Sequence, residues 1–282
     1  MAILTLAKYG WLKMGVRLVA LDIDGTLLTP GVTHTALPDP QMTNVIAELM
    51  AAGLTVVLAT GRMYPGTVRI AHHLGISNPL ICQQGASTHQ LDGTVIHRFA
   101  IDQEIAHELA AFAMEANWPY AWFDAERYLV SHPNPASQHF ADVSGIDIEH
   151  HPTPQHSGVI ATGIDIISTV EHSSEIHRQI EHKYGNRVEL LDFPSVTAVH
   201  SAEASKGKAL QVLAEDLGIA QQEVLAIGDS VNDVSMLQWA GHGAAPAHCD
   251  RYAKAAADEV LNGNGVEGVT ALLKAVLREA AL

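Results

Sequence analysis

Three short runs, residues 16–21, 54–59 and 224–227, are apolar at nearly every position, and each breaks off into a polar turn and then a helical pattern. A strand that is apolar on both faces must be covered on both faces, so these runs predict a parallel sheet with helices on either side. The punctuation between them agrees. Asp39-Pro40 supplies an N-cap and a first-turn proline for a helix reaching about Ala52, where Gly53 is a natural stop. Residues 65–74, ended by Gly75, predict a second helix, and residues 79–82 a third strand of the same sheet. The grammar returns late in the chain: a helix over 206–217 opened by Ser205 and closed by Gly218, the strand 224–227, a helix over 231–239, short strands near Gly243 and Val260, and a last helix over 266–280.

Between these halves the character changes. Residues 96–196 hold prolines at 119, 133, 135, 152, 154 and 194, the aromatic run Tyr120-Ala121-Trp122-Phe123, and two helical patterns at 102–116 and 171–184. The expected fold is therefore a doubly wound parallel-sheet α/β core, residues 14–95 and 197–282, carrying an inserted α+β domain over 96–196. Residues 1–13, ahead of Met14, read as an arm outside the core or as the product of an upstream start codon.

Composition removes several classes of function. With 282 residues the chain suits two domains, and 48% hydrophobic residues is too many for disorder. A formal net charge of −15 argues against a general nucleic-acid or anionic-membrane binder. Its two cysteines, Cys82 and Cys249, are far apart and without metal-ligand spacing, which fits a reducing compartment. No apolar run approaches the ~18 residues of a membrane span. The apolar start lacks a basic region and a cleavage site, so the expected location is the cytoplasm.

The polar turns carry the chemistry. In Asp22-Ile23-Asp24-Gly25-Thr26, the two acids are two apart in an extended segment and face the same side, at the carboxyl end of a strand, where open α/β sheets bind ligands. Thr60-Gly61-Arg62 ends the second strand with a hydroxyl and a backbone amide suited to a phosphate oxygen. Gly228-Asp229-Ser230-Val231-Asn232-Asp233 follows the fourth strand, with Asp229 placed to share a cation and Asp233 one helical turn on. Carboxylates converging without thiolates make an oxygen-rich site, the preference of Mg²⁺. Lys206 opens a helix and is the cation that an acidic site acting on a phosphate still needs. Each segment taken alone also fits ordinary turn and cap chemistry; their order, each at a strand end or helix start, is the specific signal.

In that order the chain resembles the haloacid dehalogenase (HAD) superfamily of phosphohydrolases, and within it the Cof-like branch with a C2B-type cap. The matching motifs are Asp22-x-Asp24-Gly25-Thr26, Thr60-Gly61-Arg62, Lys206-Gly207-x-Ala209-Leu210 and Gly228-Asp229-x-x-Asn232-Asp233-x-x-Met236-Leu237, and the resemblance spans residues 14–282. The resemblance implies Asp22 as nucleophile, Asp24 as acid/base, and Thr60 and Lys206 as phosphate binders beside Gly61 and Arg62. It implies Asp22, Asp24 and Asp229 around Mg²⁺, Asn232 on the phosphate or substrate, and Asp233 in support of Lys206 or the metal. The implied activity is hydrolysis of a small phosphomonoester, with the insertion setting specificity. A phosphomutase or a non-catalytic phospho-ligand binder stays open at this stage. The branch usually has Asn-Gly-Ala where this chain has Gln84-Gly85-Ala86, and Met-Gly-Asn-Ala where it has Pro246-Ala247-His248-Cys249. Eight of the seventeen histidines fall between His132 and His182. His172, His177 and His182 are five apart and share no helical face, and His150, His151 and His156 sit among prolines, so these read as solvated side chains.

Overall fold

The computed structural model describes residues 11–12, 15–263 and 265–280. Met14 and most of the arm before it lie outside the described residues. Trp11 and Leu12 do not, and they are packed: Leu12 is buried, and the Trp11 indole stacks on His242 with ring centroids 3.7 Å apart.

The chain opens with β1 (Leu18–Leu21), α1 (Pro40–Ala51), β2 (Thr55–Leu58) and α2 (Tyr64–Leu74). Next come β3 (Leu80–Cys82), β4 (Ser87–His89), β5 (Val95–Arg98), α3 (Gln103–Glu115), β6 (Tyr120–Phe123), β7 (Tyr128–Val130), α4 (Pro135–Ser144) and β8 (Ile148–His150). They are followed by β9 (Gly163–Ile167), α5 (Val170–Tyr184), β10 (Val188–Phe193) and β11 (Val196–Ser201). The last part is α6 (Lys206–Asp216), β12 (Val224–Ile227), α7 (Val234–Trp239), β13 (His242–Ala245), α8 (Arg251–Ala256), β14 (Glu259–Val260) and α9 (Glu267–Ala280). Two compact units result. One holds the residues up to Thr60, residues 69–80 and those from Lys206 onward; the other holds residues 61–68 and 81–205.

The first unit is built on a five-stranded sheet of order β14-β13-β12-β1-β2, parallel at every pairing. β1 and β12 are buried at all four positions, as their unbroken apolar sequences require. β1 lies between β2 and β12, with Leu21 level with both Leu58 and Ile227. This is the point where the winding of the sheet reverses, and the turns after these strands open side by side. Asp39 caps α1 as its sequence predicts, accepting from the amides of Gln41 and Met42 at 2.8 and 2.9 Å.

The second unit contains a six-stranded sheet of order β10-β11-β9-β6-β7-β8, antiparallel except for β7 with β8. Alternation along its strands sends Tyr120, Trp122, Ile164, Ile166 and Val199 to one face. There they form a core with Ile105 and Leu109 of α3 and Ile176 and Ile180 of α5. The indole N–H of Trp122, fully buried, donates to the Val159 carbonyl at 2.8 Å.

Three expectations need correction. Residues 80–82 do form a strand, but β3 belongs to a separate three-stranded sheet with β4 and β5. Gln83, Gln84 and Gly85 all have positive φ, which folds the chain back at once and gives β3 a local partner. The inserted segment neither starts at 96 nor ends at 196: residues 81–95 already belong to the second unit, and β11 pairs with both β9 and β10 and carries that unit through to Ser205. Helix α4 was not anticipated, although Asn134-Pro135 announces it: Asn134 and Ser137 form a reciprocal capping box, with proline in the first turn.

The helix that carries Lys206 sets a stringent packing test. A Cβ at Gly207 would lie 2.3 Å from the Ser235 carbonyl oxygen at the start of α7. Helix propensity alone favours alanine over glycine by ~1 kcal/mol. The backbone clash outweighs it, so Gly207→Ala should lower unfolding free energy by about 1–3 kcal/mol in urea titrations. A stabilised variant would show that α6 and α7 do not approach so closely.

Candidate active site

Asp22 is the first residue beyond β1, and its amide donates to the Ile227 carbonyl at 3.0 Å, so the turns after β1 and β12 start at one level. The Asp22 side chain is only 4% exposed. Lys206, the first residue of α6, reaches it from another part of the chain. The Lys206 Nζ donates to Asp22 Oδ1 at 2.6 Å and to Asp233 Oδ1 at 2.6 Å, and its side chain is fully buried. Asp233 holds its own loop with the second oxygen: Oδ2 accepts from the Asp229 and Ser230 amides at 2.9 and 3.0 Å.

Two glycines make this convergence possible. Gly25 has φ +89°, and a Cβ there would fall 2.3 Å from Asp229 Oδ2. At Gly228 a Cβ would sit 2.3 Å from the Asp233 Cγ. Thr26, fully buried, donates to Asp229 Oδ1 at 3.4 Å.

One ammonium thus faces several carboxylates in a desolvated setting. Burial raises Asp22 well above the usual carboxylate range; Lys206 opposes this, and Asp233, Asp229 and Asp24 add to it. Asp229 is pushed up to about 7 by burial and by Asp233, with Lys206 pulling the other way. Burial by itself would lower Lys206, but the charges and hydrogen bonds of Asp22 and Asp233 outweigh it and hold the ammonium above its ordinary range. One oxygen from each of Asp22, Asp229 and Asp233 lies within 4.8 Å of the others. Among the described residues this is the one group of side chains able to hold a metal ion, and no histidine or cysteine takes part. Its all-oxygen donor set suits a hard divalent cation.

The remaining site residues divide by unit. Asp24 is exposed and forms an isolated bridge with Leu28, close enough to raise both Asp22 and Asp229. It is not part of the metal-competent trio, in which Asp233 stands instead. Thr60, 1% exposed, is one residue past Ala59, whose amide donates to the Leu21 carbonyl at 2.9 Å. Asn232 accepts from the Ser230 hydroxyl at 2.9 Å. Gly61 and Arg62 belong to the second unit, where the Arg62 side chain is buried and its carbonyl accepts from the Gln83 amide at 2.9 Å. Gln84 packs against Gly61 so closely that a Cβ on that glycine would lie 2.4 Å from Gln84 Nε2.

Residues 246–250 tie the acidic turns together in a way the sequence reading missed. His248 Nε2 donates to the Gly25 carbonyl at 2.7 Å, and the Asp250 amide donates to the Asp229 carbonyl at 2.8 Å. Asp250 Oδ2 accepts from the Val231 amide at 2.8 Å, while its Oδ1 caps α8 through Tyr252 and Ala253. The available signal was the N-cap pattern of an aspartate ahead of Arg251-Tyr252-Ala253-Lys254.

The family model described as haloacid dehalogenase-like hydrolase matches residues 19–273. Phosphatase YwpJ of Bacillus subtilis is 28% identical over 300 aligned residues, covering 93% of this chain and all of that protein. A phosphoglycolate phosphatase of Halorubrum lacusprofundi is 29% identical, over 90% of this chain and 95% of its own length. Among solved structures, a haloacid dehalogenase-like hydrolase from B. subtilis superposes with a TM-score of 0.80 at 25% identity, covering 92% of this chain and 99% of the other.

Removing one partner of a buried ion network leaves the others uncompensated. Lys206→Met should therefore cost about 3–5 kcal/mol of stability at neutral pH. The penalty should shrink as the pH falls, because Asp22, already raised by burial, takes up a proton and no longer leaves an uncompensated charge. Urea unfolding at two pH values measures both effects, and wild-type stability in the variant would mean that the Lys206 charge is not held by these carboxylates.

Proposed function

The chain belongs to the haloacid dehalogenase-like hydrolases, and on that premise we propose that it is a Mg²⁺-dependent phosphatase acting on a small phosphomonoester through an aspartyl-phosphate. The observation that carries this reading is the Asp22 carboxyl at the end of β1, bonded to Lys206 at 2.6 Å and faced by Asp229 and Asp233. Sugar phosphates, nucleotides and phosphorylated cofactors all belong to the chemical class. Choice among them is assigned to the inserted unit. The buried Cys82 and the half-buried Cys249 form no disulfide, which supports a reducing, cytoplasmic setting. No described helix is long and apolar enough to cross a membrane.

Asp22, Asp24 and Asp229 are the residues that would hold the metal, with Asp233, engaged by Lys206 and by the Asp229 and Ser230 amides, in support. When bound, a divalent cation supplies the positive charge that lowers the Asp22 pKa toward its nucleophilic form and offsets repulsion of the substrate dianion. Asp22 attacks phosphorus in line: its oxygen bonds to phosphorus as the bond from phosphorus to the alcohol oxygen breaks. Asp24, exposed and two residues on, gives the leaving oxygen its proton. It then takes one from the water that attacks the phosphoenzyme, freeing inorganic phosphate and restoring Asp22. Lys206, Thr60, Gly61, Arg62 and Asn232 bind phosphoryl or substrate oxygens, and Asp233 keeps Lys206 in place.

Phosphate release from an aryl phosphate tests the reading directly. Activity should vanish with a chelator, return with Mg²⁺, and be absent from Asp22→Asn, whose amide cannot attack phosphorus. Turnover in excess chelator, or in Asp22→Asn, would remove the mechanism.

A second measurement separates the two aspartates. Asp24→Asn should lose ~10²–10⁴-fold in turnover of an alkyl phosphate, the usual worth of a proton transfer. The loss should be smaller for p-nitrophenyl phosphate, whose leaving group needs little protonation. Equal losses on both substrates would deny Asp24 the acid role.

A further inference from the structure

Glycine at position 25 solves one problem and creates another. Only a residue without a side chain can pass Asp229 there, since a Cβ would fall 2.3 Å from its Oδ2. The same glycine, at φ +89°, leaves the backbone beside Asp24 more freedom to rotate than any other residue would. Part of the turn is closed by its own backbone. The Gly25 amide donates to the Leu28 carbonyl at 2.9 Å, and the Leu27 and Leu28 amides donate to the Ile23 carbonyl at 3.0 and 2.9 Å. The Gly25 carbonyl takes no part in that closure. Among the described residues its one hydrogen-bond partner is His248 Nε2, 2.7 Å away and 223 residues along the chain.

His248 is presented for this contact by its own backbone. It is the third residue of a turn, Pro246 to Cys249, closed by the Cys249 amide on the Pro246 carbonyl at 3.0 Å. Two residues on, the Asp250 amide donates to the Asp229 carbonyl, and Asp250 Oδ2 accepts from the Val231 amide, both at 2.8 Å. The segment is thus fixed to the Asp229 turn and reaches the Asp24 turn through the His248 ring. A carbonyl oxygen only accepts, so Nε2 carries the hydrogen in the neutral ring and in the charged ring alike. His248 is exposed, so its ring adds little to the core, and this hydrogen bond is its main contribution. Asp24, Gly25, Asp229 and His248 all lie in the first compact unit.

We propose that His248 is a positioning residue for Asp24: by holding the Gly25 carbonyl it fixes the backbone from which the Asp24 carboxyl is aimed. The proposal rests on the phosphatase reading, in which Asp24 gives a proton to the leaving oxygen and then takes one from water. Both transfers need the carboxyl within hydrogen-bond reach of the atom that gains or loses the proton. An exposed carboxyl such as Asp24 takes its aim from the backbone beneath it more than from packing around it. A displacement of ~1 Å costs about 10²-fold in rate at such a site. His248 takes no part in the transfers themselves and acts through the turn.

The test compares wild type, His248→Ala and His248→Gln, as full chains with Mg²⁺, on an alkyl phosphate and on p-nitrophenyl phosphate. Glutamine carries an N–H about as far from its Cβ as Nε2 is in histidine, so it keeps the donor. In His248→Ala, kcat/KM for the alkyl phosphate should fall about 10- to 100-fold. For p-nitrophenyl phosphate, whose leaving group needs little protonation, it should stay within about 3-fold of wild type. His248→Gln should recover most of the loss. A merely structural role would lower the fraction of folded enzyme and so cut both substrates equally. Equal losses, a loss that glutamine does not recover, or a loss that disappears when Mg²⁺ is raised would overturn the proposal. Wild type that releases no phosphate from either substrate would instead count against the phosphatase reading. Hydrogen exchange would then decide the hold on the turn by itself. The Gly25, Leu27 and Leu28 amides should exchange about 3- to 10-fold faster in His248→Ala, and unchanged exchange would overturn the positioning role.

Discussion

A single buried ammonium organises the first unit. Lys206 Nζ sits 2.6 Å from both Asp22 and Asp233, with none of its side chain exposed. Taking three charges out of water is expensive, and their attraction repays it only when the geometry is tight. That requirement reaches outward. Helix α6 must start at a level that lets Lys206 touch the residue after β1, so Gly207 must press against the backbone of Ser235. The turn after β12 must bring Asp233 back over Gly228, where a side chain would collide with it. Replacing such a network by apolar residues often leaves a protein as stable or more so. A chain that keeps it is therefore keeping chemistry, in this case a carboxyl at a strand end held against a fixed positive charge.

The electrostatics around Asp22 are unbalanced toward negative charge. Burial and three neighbouring acids hold Asp22 toward its protonated form, and one lysine does not cancel them. The same imbalance that handicaps the bare carboxyl makes the site receptive to a divalent cation, because the donors are hard oxygens already brought within 4.8 Å. The acidic turns are tied to one another by hydrogen bonds from residues 248–250. His248 fixes the Gly25 carbonyl, and Asp250 fixes both Asp229 and Val231. Preorganisation of this kind means that little rearrangement is left to pay for when charge develops on a phosphoryl group.

The second unit solves a different problem with a different sheet. Its six strands bury one face under α3 and α5, around Trp122, Ile164 and Ile166. On the other face β9 presents Asp165, whose carboxyl has no hydrogen bond or ion pair among the described residues. The strand-end carboxylates and the six-stranded sheet thus belong to separate compact units. Tyr120 and Trp122, conspicuous in the sequence, prove to be core residues of the insertion.

Much of the molecule was legible in the order of its residues, because the relevant forces are local. Unbroken apolar runs can only be strands covered on both faces, and β1, β2 and β12 lie where those runs are. Asp39, Gly53 and Gly218 mark helix ends through capping and positive φ, which depend on a few neighbouring atoms. Asp22, Asp229, Asp233 and Lys206 were identifiable because each follows a strand or opens a helix in a fixed sequence order. What the sequence could not decide was pairing between distant segments. The apolar segment at 80–82 is equally suited to either sheet, and only the left-handed turn at Gln83 and Gln84 gives it to the smaller one. That the side chain of Asp233, more than that of Asp24, gathers with Asp22 and Asp229 depends on positions a few ångströms apart, set by the Lys206 bridge. Likewise, that Asp165 lacks a partner while His248 finds one in Gly25 follows from which backbones fold against them, a fact that no local pattern contains.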